Sequence, residues 1–323
     1  MSLTAGVDVG GTKILGVVVD SRSPSQVLAE ERVDTPTGVD TVLDAIAGIV
    51  KTMNVECPTD RGSVGSLGVG IAGLVDREGV LHVSPNLPML RGVPVRAELE
   101  RRAGVPVAVD NDATCTAWGE HRAGAGRQLW DMLCVTLGTG IGAGIVQDGE
   151  LVRGAHGFAG EAGHMVVDPA GPLCPCGRRG CWERMASGSG LARLARDAAE
   201  AGRLRRALDL AGGAVAAVQG EHVSAAADEG DAEALELLRS FAWWVALGIA
   251  NLVTLLDPGG VVVGGGLIGI GDPLLDPTRD HYRSLVMSHD ARRDVRILAA
   301  ELGERAGAIG AALLAPTAGP EDG

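Results

Sequence analysis

The sequence predicts an α/β protein built from two similar domains. Short apolar runs alternate with longer segments whose apolar residues recur at helical spacing. A pattern of strand, glycine turn and strand occurs twice, about 130 residues apart, and is the main internal repeat. The length of 323 residues is sufficient for two domains of ordinary size.

Composition and charge exclude several classes of protein. Apolar residues make up 46% of the chain, so a large core is expected, and the net charge of -13 argues against a general nucleic-acid surface. The N-terminus has no basic segment followed by an apolar stretch, and no uncharged apolar run reaches about 18 residues. We therefore expect a soluble cytoplasmic protein with neither a membrane nor a nucleic acid as partner.

The first glycine turn lies in the sequence GVDVGGTKILG, from Gly6 to Gly16. Gly10 and Gly11 have no Cβ, so the backbone can approach a bulky anion closely. Thr12 and the amides of the turn can donate to phosphate oxygens. Taken alone, a pair of glycines between strands is more often a simple hairpin turn.

The next segments are predicted as a helix at 39–53, a strand at 66–71, a rigid loop at 84–88, a helix at 96–102, a strand at 105–109 and a helix at 113–122. The last strand places Asp110, Asn111 and Asp112 at its carboxyl end, where α/β folds bind ligands. An Asp in this position can equally cap the following helix.

The second glycine turn lies in MLCVTLGTGIGAGIV, from Met132 to Val146. Gly138, Thr139 and Gly140 repeat the design of the first turn. Two such turns in two similar domains could hold one polyphosphate from two sides, which favours phosphate binding by both.

A compact set of metal-ligand residues follows, in the pattern H-x9-C-x-C-x4-C. It consists of His164, Cys174, Cys176 and Cys181. Zinc takes four nitrogen and sulfur ligands in structural sites, and close Cys/His spacing without secretory features favours metal over disulfides. The alternatives are disulfides or unused thiols. Glu161 and Glu183 bracket the cluster, whereas Cys57, Cys115 and Cys134 stand singly and are expected to be buried.

The rest of the chain predicts helices at 187–200, 232–256, 273–287 and 305–314, strands at 261–263 and 295–299, and a frayed tail at 318–323. Gly264, Gly265 and Gly266 follow a strand, where a nucleoside ring could lie on the backbone or where the chain simply turns. We expect a first domain of residues 1–110 with a helix at about 305–316, and a second domain of residues 111–304.

The three glycine turns together suggest ATP held across a cleft. Phosphoryl transfer needs positioning, charge stabilisation and a group that accepts the proton of the attacking hydroxyl. Asp112 is the candidate base. The polar groups of Asn111, Glu161, His164 and Glu183 could bind the hydroxyls of a sugar. No P-loop motif is present.

Seven motifs carry a resemblance to a known family. They are DVGGTK at 8–13, SPNLP at 84–88, VDNDA at 109–113, LGTGIGAGIV at 137–146, GEAGH at 160–164, CPCGRRGCWE at 174–183 and VGGG at 263–266. With them the chain resembles ROK-family sugar kinases from about residue 4 to 315, and the bacterial glucokinases fit best. The H-x9-C-x-C-x4-C element is specific to this family among actin-like kinases.

The resemblance implies an actin-like, ribonuclease-H-like pair of domains that close on sugar and ATP. It implies that Asp8 lies near the hydration shell of Mg²⁺ and that Asp112 takes the proton of the 6-hydroxyl of glucose. The implied phosphate and nucleoside residues are Gly10, Gly11, Thr12, Lys13, Gly138, Thr139, Gly140, Gly264, Gly265 and Gly266. The implied sugar ligands are Gly73, Asn86, Asn111, Asp112, Glu161, His164 and Glu183. His164 would also bind a structural Zn²⁺, and a homodimer or homotetramer is expected.

Four alternatives remain open at this level. ROK transcriptional regulators carry a winged-helix domain before the first phosphate turn, and here that strand begins by about Ala5, so no such domain is expected. The acceptor could be N-acetylglucosamine, N-acetylmannosamine, fructose or allose. Polyphosphate could replace ATP, although no dense basic stripe favours it. A binding protein without catalysis is disfavoured by Asp112.

Overall fold

The structure is a computed structural model that describes residues 3–56 and 62–316. Cys57 and the tail at 318–323 lie outside these residues. The chain forms two compact units: unit 1 comprises Met1–Cys134, Ala143–Gly160 and Ala300–Gly323, and unit 2 comprises Val135–Gly142 and Glu161–Ala299. Both contain strands and helices, as the α/β prediction requires.

The strands are β1 Leu3–Val9, β2 Lys13–Asp20, β3 Val27–Asp34, β4 Val64–Ile71, β5 Leu74–Val75, β6 Val80–Val83, β7 Val93–Pro94, β8 Val107–Asn111, β9 Met132–Leu137, β10 Ile141–Gln147, β11 Glu150–Leu151, β12 Gly260–Gly264 and β13 Arg296–Ala299. The helices are α1 Val39–Glu56, α2 Val95–Ala103, α3 Asp112–Ala123, α4 Trp182–Ala186, α5 Gly188–Glu200, α6 Arg205–Leu210, α7 Gly220–Asp228, α8 Ala232–Leu256, α9 Asp272–Leu285 and α10 Ala306–Leu314.

The first sheet has the strand order β3-β2-β1-β4-β8. Strands β1 and β2 form an antiparallel hairpin, whereas β4 pairs parallel with both β1 and β8. Helix α10 packs on this sheet so closely that a Cβ at Gly6 or Gly68 would overlap its backbone. These two glycines are therefore needed for helix–sheet packing.

A second sheet has the order β11-β10-β9-β12-β13, and a small third sheet has the order β5-β6-β7. Strands β12 and β13 pair in parallel. The hairpin of β9 and β10 repeats the design of β1 and β2, with a glycine turn between two apolar strands, as the sequence predicted.

Helix α8 is long and apolar enough, by length and composition, to cross a membrane. However, 56% of its most apolar window is buried inside the structure, which is the pattern of a core helix. The side chain of Asp231 caps its first turn by accepting a hydrogen bond from the Ala234 amide at 2.8 Å. The helix ends at Asp257, which adopts a left-handed conformation with φ 46°.

The compact units divide the chain differently from the boundary that the sequence suggested at residue 110. Helix α3 and the segment from Ala143 to Gly160 group with unit 1. The reason is packing, because α3 lies against α10 and β4. The glycines at the α3–α10 contact allow it, since a Cβ at Gly119 or Gly310 would overlap the facing backbone.

Most predicted elements are present with ends shifted by a few residues, and α8 has the predicted bounds. Strand β8 extends through Asp110 and Asn111, so α3 begins directly at Asp112. Elements without a clear sequence signal are the edge strand β3, the short strands β5 to β7 and the helices α6 and α7.

A buried carboxylate in unit 1 binds the backbone segment that precedes helix α10. Glu120 on α3 has no exposed surface. Its two oxygens accept hydrogen bonds from the amides of Ala125 at 2.9 Å, Glu301 at 3.1 Å and Leu302 at 2.8 Å. One side chain therefore satisfies three partly buried backbone donors that would otherwise lack a partner within the protein.

We expect Glu120→Ala to lower the free energy of unfolding by about 2 kcal/mol or more, because three partly buried amides lose their partner and a fully buried unsatisfied donor costs about 1–3 kcal/mol. Urea unfolding followed by circular dichroism measures the change, with Glu236→Ala, at an exposed position of α8, as the matched control. Equal midpoints for the two variants would contradict this role of Glu120.

Candidate functional site

The glycine turn of unit 1 joins β1 to β2 and is exposed. The Gly10 amide donates to the Lys13 carbonyl at 3.0 Å, which closes the turn. Thr35 directly follows β3, and its hydroxyl stabilises the turn by donating to the Gly10 carbonyl at 2.8 Å. A Cβ at Gly11 would lie 3.0 Å from the Cβ of Asn86, so Asn86 stands directly beside this turn.

The ammonium group of Lys13 lies 2.9 Å from a carboxylate oxygen of Glu304. Arg32 donates to the same oxygen at 2.7 Å. One carboxylate thus lies between two cations beside the turn. Because these side chains are largely exposed, we assign the pairs little stabilising energy.

The glycine turn of unit 2 joins β9 to β10 and is closed by a shorter internal hydrogen bond, from the Gly138 amide to the Gly140 carbonyl at 3.0 Å. The start of α5 supports it. The Gly188 amide donates to the Gly138 carbonyl at 2.8 Å, and the Ser189 hydroxyl donates to the Thr139 carbonyl at 2.9 Å. Both turns thus join two strands through three residues, although their internal hydrogen bonds differ in span.

Gly264 ends β12, and the two glycines that follow it have different surroundings. Gly265 has φ +84°, and a Cβ there would meet the backbone of Leu137 within 2.7 Å. It is therefore required by packing against β9. Gly266 has nothing within 4 Å of a Cβ position, so its backbone borders open space.

Two carboxylates interact in unit 1, Asp8 on β1 and Asp112 at the start of α3. Burial first, and then the charge of Asp112, raise the pKa of Asp8 to about 7, although Lys13 opposes the shift. Helix α10 closes over Asp8, because a Cβ at Gly307 would lie 2.9 Å from its carboxyl carbon.

Burial also raises the pKa of the Asp112 carboxyl. Hydrogen bonds from the backbone of Ala113, from its own amide and from Asn111 oppose the shift without cancelling it. A carboxylate with a raised pKa is a better proton acceptor at neutral pH than an ordinary aspartate.

Asn111, rather than Asp112, caps α3. Its side-chain oxygen accepts from the amides of Ala113 at 2.9 Å and Thr114 at 3.1 Å. Its side-chain nitrogen donates to the Gly73 carbonyl at 3.1 Å. This resolves the helix-cap alternative for Asp112, and it links two of the predicted sugar residues in one contact.

The predicted metal ligands of unit 2 do come together. The ligand atoms of His164, Cys174, Cys176 and Cys181 all lie within 4.8 Å of one another. The sulfur atoms of Cys176 and Cys181 are 3.5 Å apart, and Nδ1 of His164 is 3.8 Å from the Cys174 sulfur. A tetrahedral zinc ion with bonds of about 2.0–2.3 Å separates its ligand atoms by about 3.3–3.8 Å, so the donor set fits zinc.

All described cysteines are free thiols, which excludes the disulfide alternative for this cluster. They are Cys115, Cys134, Cys174, Cys176 and Cys181. Cys115 and Cys134 are buried, as their isolated positions predicted.

Local turns and one indole ring hold the cysteine cluster. Gly177 and Gly180 adopt φ +89° and +64°, values that favour glycine. Trp182, next to Cys181, is fully buried and donates from its indole nitrogen to the Trp244 carbonyl of α8 at 2.8 Å. Gly248 makes room for this ring, since a Cβ there would overlap it. The cluster is thus anchored to the core helix.

Two carboxylates lie beside the cluster, as predicted. Oε1 of Glu183 is 3.0 Å from the Cys174 sulfur and 3.7 Å from Nδ1 of His164. Oε2 of Glu161 is 3.9 Å from Nε2 of His164. The two ring nitrogens therefore face different neighbours, Nδ1 the sulfur cluster and Nε2 the Glu161 carboxylate.

Glu183 also approaches the glycine turn of unit 2. A Cβ at Gly140 would lie 2.8 Å from its second carboxylate oxygen. Any side chain at position 140 would therefore displace this carboxylate. The turn, the carboxylate and the cysteine cluster form one continuous site in unit 2.

The predicted residues are divided between the units. Unit 1 holds Asp8, Gly10, Gly11, Thr12, Lys13, Gly73, Asn86, Asn111 and Asp112, and unit 2 holds Gly138, Thr139, Gly140, Glu161, His164, Cys174, Cys176, Cys181, Glu183, Gly264, Gly265 and Gly266. Sequence reasoning did not find the supporting roles of Thr35, Ser189 and Glu120. Each of them is a single polar residue with no surrounding motif, and its hydrogen-bond partners include residues that are distant in the chain.

Comparisons with known proteins identify the family. Residues 4–318 match the ROK family. The glucokinase of Streptomyces coelicolor is 41% identical over 318 residues, which cover 98% of each chain. The N-acetylmannosamine kinase of Citrobacter koseri is 35% identical over 314 residues, covering 97% of this chain and 98% of the relative.

Among solved structures, a ROK family glucokinase from Streptomyces griseus in complex with glucose and AMPPNP is similar with a TM-score of 0.85. It is 41% identical, and the match covers 97% of this chain and 99% of that one. The chain therefore belongs to the ROK family and has the α/β fold of its sugar kinases.

Proposed function

We propose that this ROK protein is a hexose kinase that transfers the terminal phosphoryl group of ATP to the 6-hydroxyl of glucose. The observation that carries the proposal is Asp112, a carboxylate with a raised pKa at the carboxyl end of β8, whose helix-capping role is taken by Asn111. The similarity to glucokinases along nearly the whole chain supports the choice of glucose.

In this mechanism the oxygen of the sugar 6-hydroxyl attacks the γ-phosphorus of ATP. The bond from that phosphorus to the β–γ bridging oxygen breaks, and ADP leaves with the electron pair. The hydroxyl proton passes to Asp112, whose raised pKa suits a base at neutral pH. Sugar phosphate and ADP are the products.

The two glycine turns would hold the polyphosphate through their backbone amides. Their equal length and their position between two apolar strands support equivalent roles. The backbone at Gly266 would lie beside the nucleoside, whereas Gly265 acts through packing.

Asp8 would act through the hydration shell of Mg²⁺, which neutralises phosphate charge during transfer. Two interacting carboxylates in a buried setting fit a divalent cation, because both gain when positive charge approaches. Without it, Asp8 is half protonated near pH 7.

The residues proposed for sugar recognition are Gly73, Asn86, Asn111, Asp112, Glu161, His164 and Glu183. Charged and amide groups that each accept or donate two hydrogen bonds suit vicinal hydroxyls. Nε2 of His164 faces Glu161 rather than the sulfur cluster, which supports a role for this imidazole edge in binding a polar ligand.

The cysteine cluster would hold a structural Zn²⁺ through Nδ1 of His164 and the sulfurs of Cys174, Cys176 and Cys181. The ion would fix the imidazole and, beside it, Glu183. Such support orients ligand groups without taking part in bond making.

A second candidate is an N-acetylmannosamine kinase, favoured by the relative that is 35% identical over almost the full length. The residues proposed here for catalysis and for metal binding serve either acceptor. The difference would lie in the groups that face the substituent at carbon 2 of the sugar.

A panel of acceptors and donors tests the proposal in an ADP-coupled assay. Glucose, N-acetylmannosamine, N-acetylglucosamine, fructose and allose are each tested with ATP, and glucose is tested again with polyphosphate by measuring sugar phosphate directly. We expect glucose with ATP to give the highest kcat/KM. A value about tenfold higher for another acceptor would reassign the substrate, and no turnover on any sugar would overturn the kinase proposal.

A further inference from the structure

A cavity of about 240 Å³ lies in unit 1 beside the edge strand β8. Its charged lining residues are Arg77, Arg96, Arg153, Asp76 and Asp110. The end of α10 contributes an apolar wall with Leu314. None of these residues belongs to the proposed sugar, nucleotide or metal sites.

One arginine of the cavity is already neutralised. Nε of Arg153 donates to Oδ2 of Asp110 at 2.6 Å. The other oxygen of Asp110 accepts from the Asn111 amide at 2.9 Å. Both carboxylate oxygens therefore have partners, and this pair adds no net charge to the cavity.

The carboxylate of Asp76 accepts hydrogen bonds from the turn between β5 and β6. Its Oδ1 accepts from the amides of Glu78 at 3.0 Å and Val80 at 2.9 Å. Its Oδ2 lies 2.6 Å from Nε2 of His82. The carboxylate thus interacts with the hairpin backbone and with His82, and it forms no ion pair with the arginines of the cavity.

Arg77 and Arg96 have only backbone partners. Arg77 donates from Nε and Nη2 to the Gly154 carbonyl at 3.0 Å and 2.5 Å, and Nη2 of Arg96 donates to the Arg77 carbonyl at 2.8 Å. Nε of Arg96 is shielded from solvent and has no hydrogen-bond partner. Within residues 3–56 and 62–316, neither guanidinium has a carboxylate within 4.0 Å. Arg77 and Arg96 therefore lack a carboxylate partner, and the charged lining, three arginines against Asp76 and Asp110, carries a net charge of about +1.

We propose that this cavity binds a small phosphate-bearing anion, either orthophosphate or a phosphate monoester. A phosphate monoester carries about −1.5 to −2 charges at pH 7, and it would supply the negative partner that the guanidiniums of Arg77 and Arg96 lack. Planar guanidinium groups bind phosphate oxygens through paired hydrogen bonds. The volume is below the roughly 300–1,000 Å³ of typical organic-ligand pockets, which favours a compact anion over a nucleotide.

Such an anion would connect the β5–β6 hairpin, helix α2 and the segment around Gly154. Arg77 extends from the hairpin and Arg96 from α2, and Arg77 is already bonded to Gly154. The ligand would replace the missing acid partner of both arginines and stabilise this part of unit 1.

The test is calorimetric titration with orthophosphate, performed with saturating AMPPNP so that the proposed nucleotide site is filled. We expect one phosphate per chain for the wild type and at least tenfold weaker binding for Arg77→Gln/Arg96→Gln. The matched control is Arg91→Gln/Arg101→Gln, which removes two exposed arginines of the same unit outside the cavity lining. It should bind like the wild type.

Arg77→Gln alone provides a second variant, since Arg77 is exposed and its loss should leave the fold intact. It should also weaken binding measurably, with an unchanged circular dichroism spectrum. Separate titrations with glucose 6-phosphate and orthophosphate distinguish a monoester from free phosphate, and tighter binding of either supports the proposal.

Three results would overturn it. They are no phosphate binding by the wild type in the presence of AMPPNP, equal affinity of the wild type and both cavity variants, or stronger arginine-dependent binding of citrate than of either phosphate. Because every readout is binding, the outcome does not depend on whether glucose is the kinase substrate.

Discussion

Asp112→Asn should lower kcat for glucose phosphorylation by about 10²–10⁴-fold, the usual contribution of a general base. The amide keeps the size of the side chain but cannot accept the proton. Glucose affinity, measured by direct calorimetric titration, should change little, because the other proposed sugar ligands remain. The residual rate is measured with the ADP-coupled assay at saturating glucose and ATP.

The pH profile gives a second readout of the same role. Burial raises the pKa of Asp112, so the base is protonated, and inactive, over a wider acidic range than an ordinary aspartate. The wild-type kcat/KM should therefore rise with pH through an inflection above the normal aspartate range. Asp209→Asn, at an exposed position of α6, is the control and should keep both rate and profile. Wild-type turnover by Asp112→Asn would remove Asp112 from the mechanism.

Cys176→Ser should abolish binding of the proposed zinc ion and weaken glucose binding. A structural zinc site contributes about 10–16 kcal/mol of apparent binding energy through its complete ligand set, and a serine hydroxyl is a poor substitute for a thiolate. Loss of the ion frees the His164 ring and, beside it, Glu183. Because supporting groups around metal ligands typically affect function by about 10–100-fold, we expect the KM for glucose to rise within that range.

Elemental analysis of the purified protein measures the metal, and initial rates at varied glucose and varied ATP separate the two substrates. The KM for ATP should change much less than that for glucose. Cys134→Ala, which removes a buried thiol outside the cluster, should retain the metal. Zinc-free wild-type protein, or a Cys176→Ser variant with its full metal content, would rule out the zinc assignment.

The glycine turns and the cysteine cluster could be predicted because their sequence patterns are short. The glycine turns and the cysteine cluster are local, since each turn or cluster is encoded within about 20 residues, and glycine or cysteine spacing limits what the backbone can do there. The structure accordingly contains both hairpins and brings the four metal-ligand atoms within 4.8 Å.

The domain boundary depends on contacts between distant segments of the chain, so residue spacing alone could not locate it. A strand end at residue 110 resembles the end of a domain, but α3 packs against α10, whose residues are almost 200 positions later in the chain. The helix cap is a similar case. From the sequence an Asp at the strand end could cap α3, whereas the side-chain geometry shows that Asn111 does so.

By itself, the sequence determined the α/β class, the paired glycine turns, the metal-ligand set and Asp112 as the candidate base, because each depends on residue type and short spacing. Only the tertiary structure decided that the charge of Asp112 acts on the buried carboxyl group of Asp8, and that Glu120 binds the backbone just before α10. It also decided that Arg77 and Arg96 line one cavity without acid partners. These features depend on burial and on contacts between distant segments, and a linear pattern of residues contains neither.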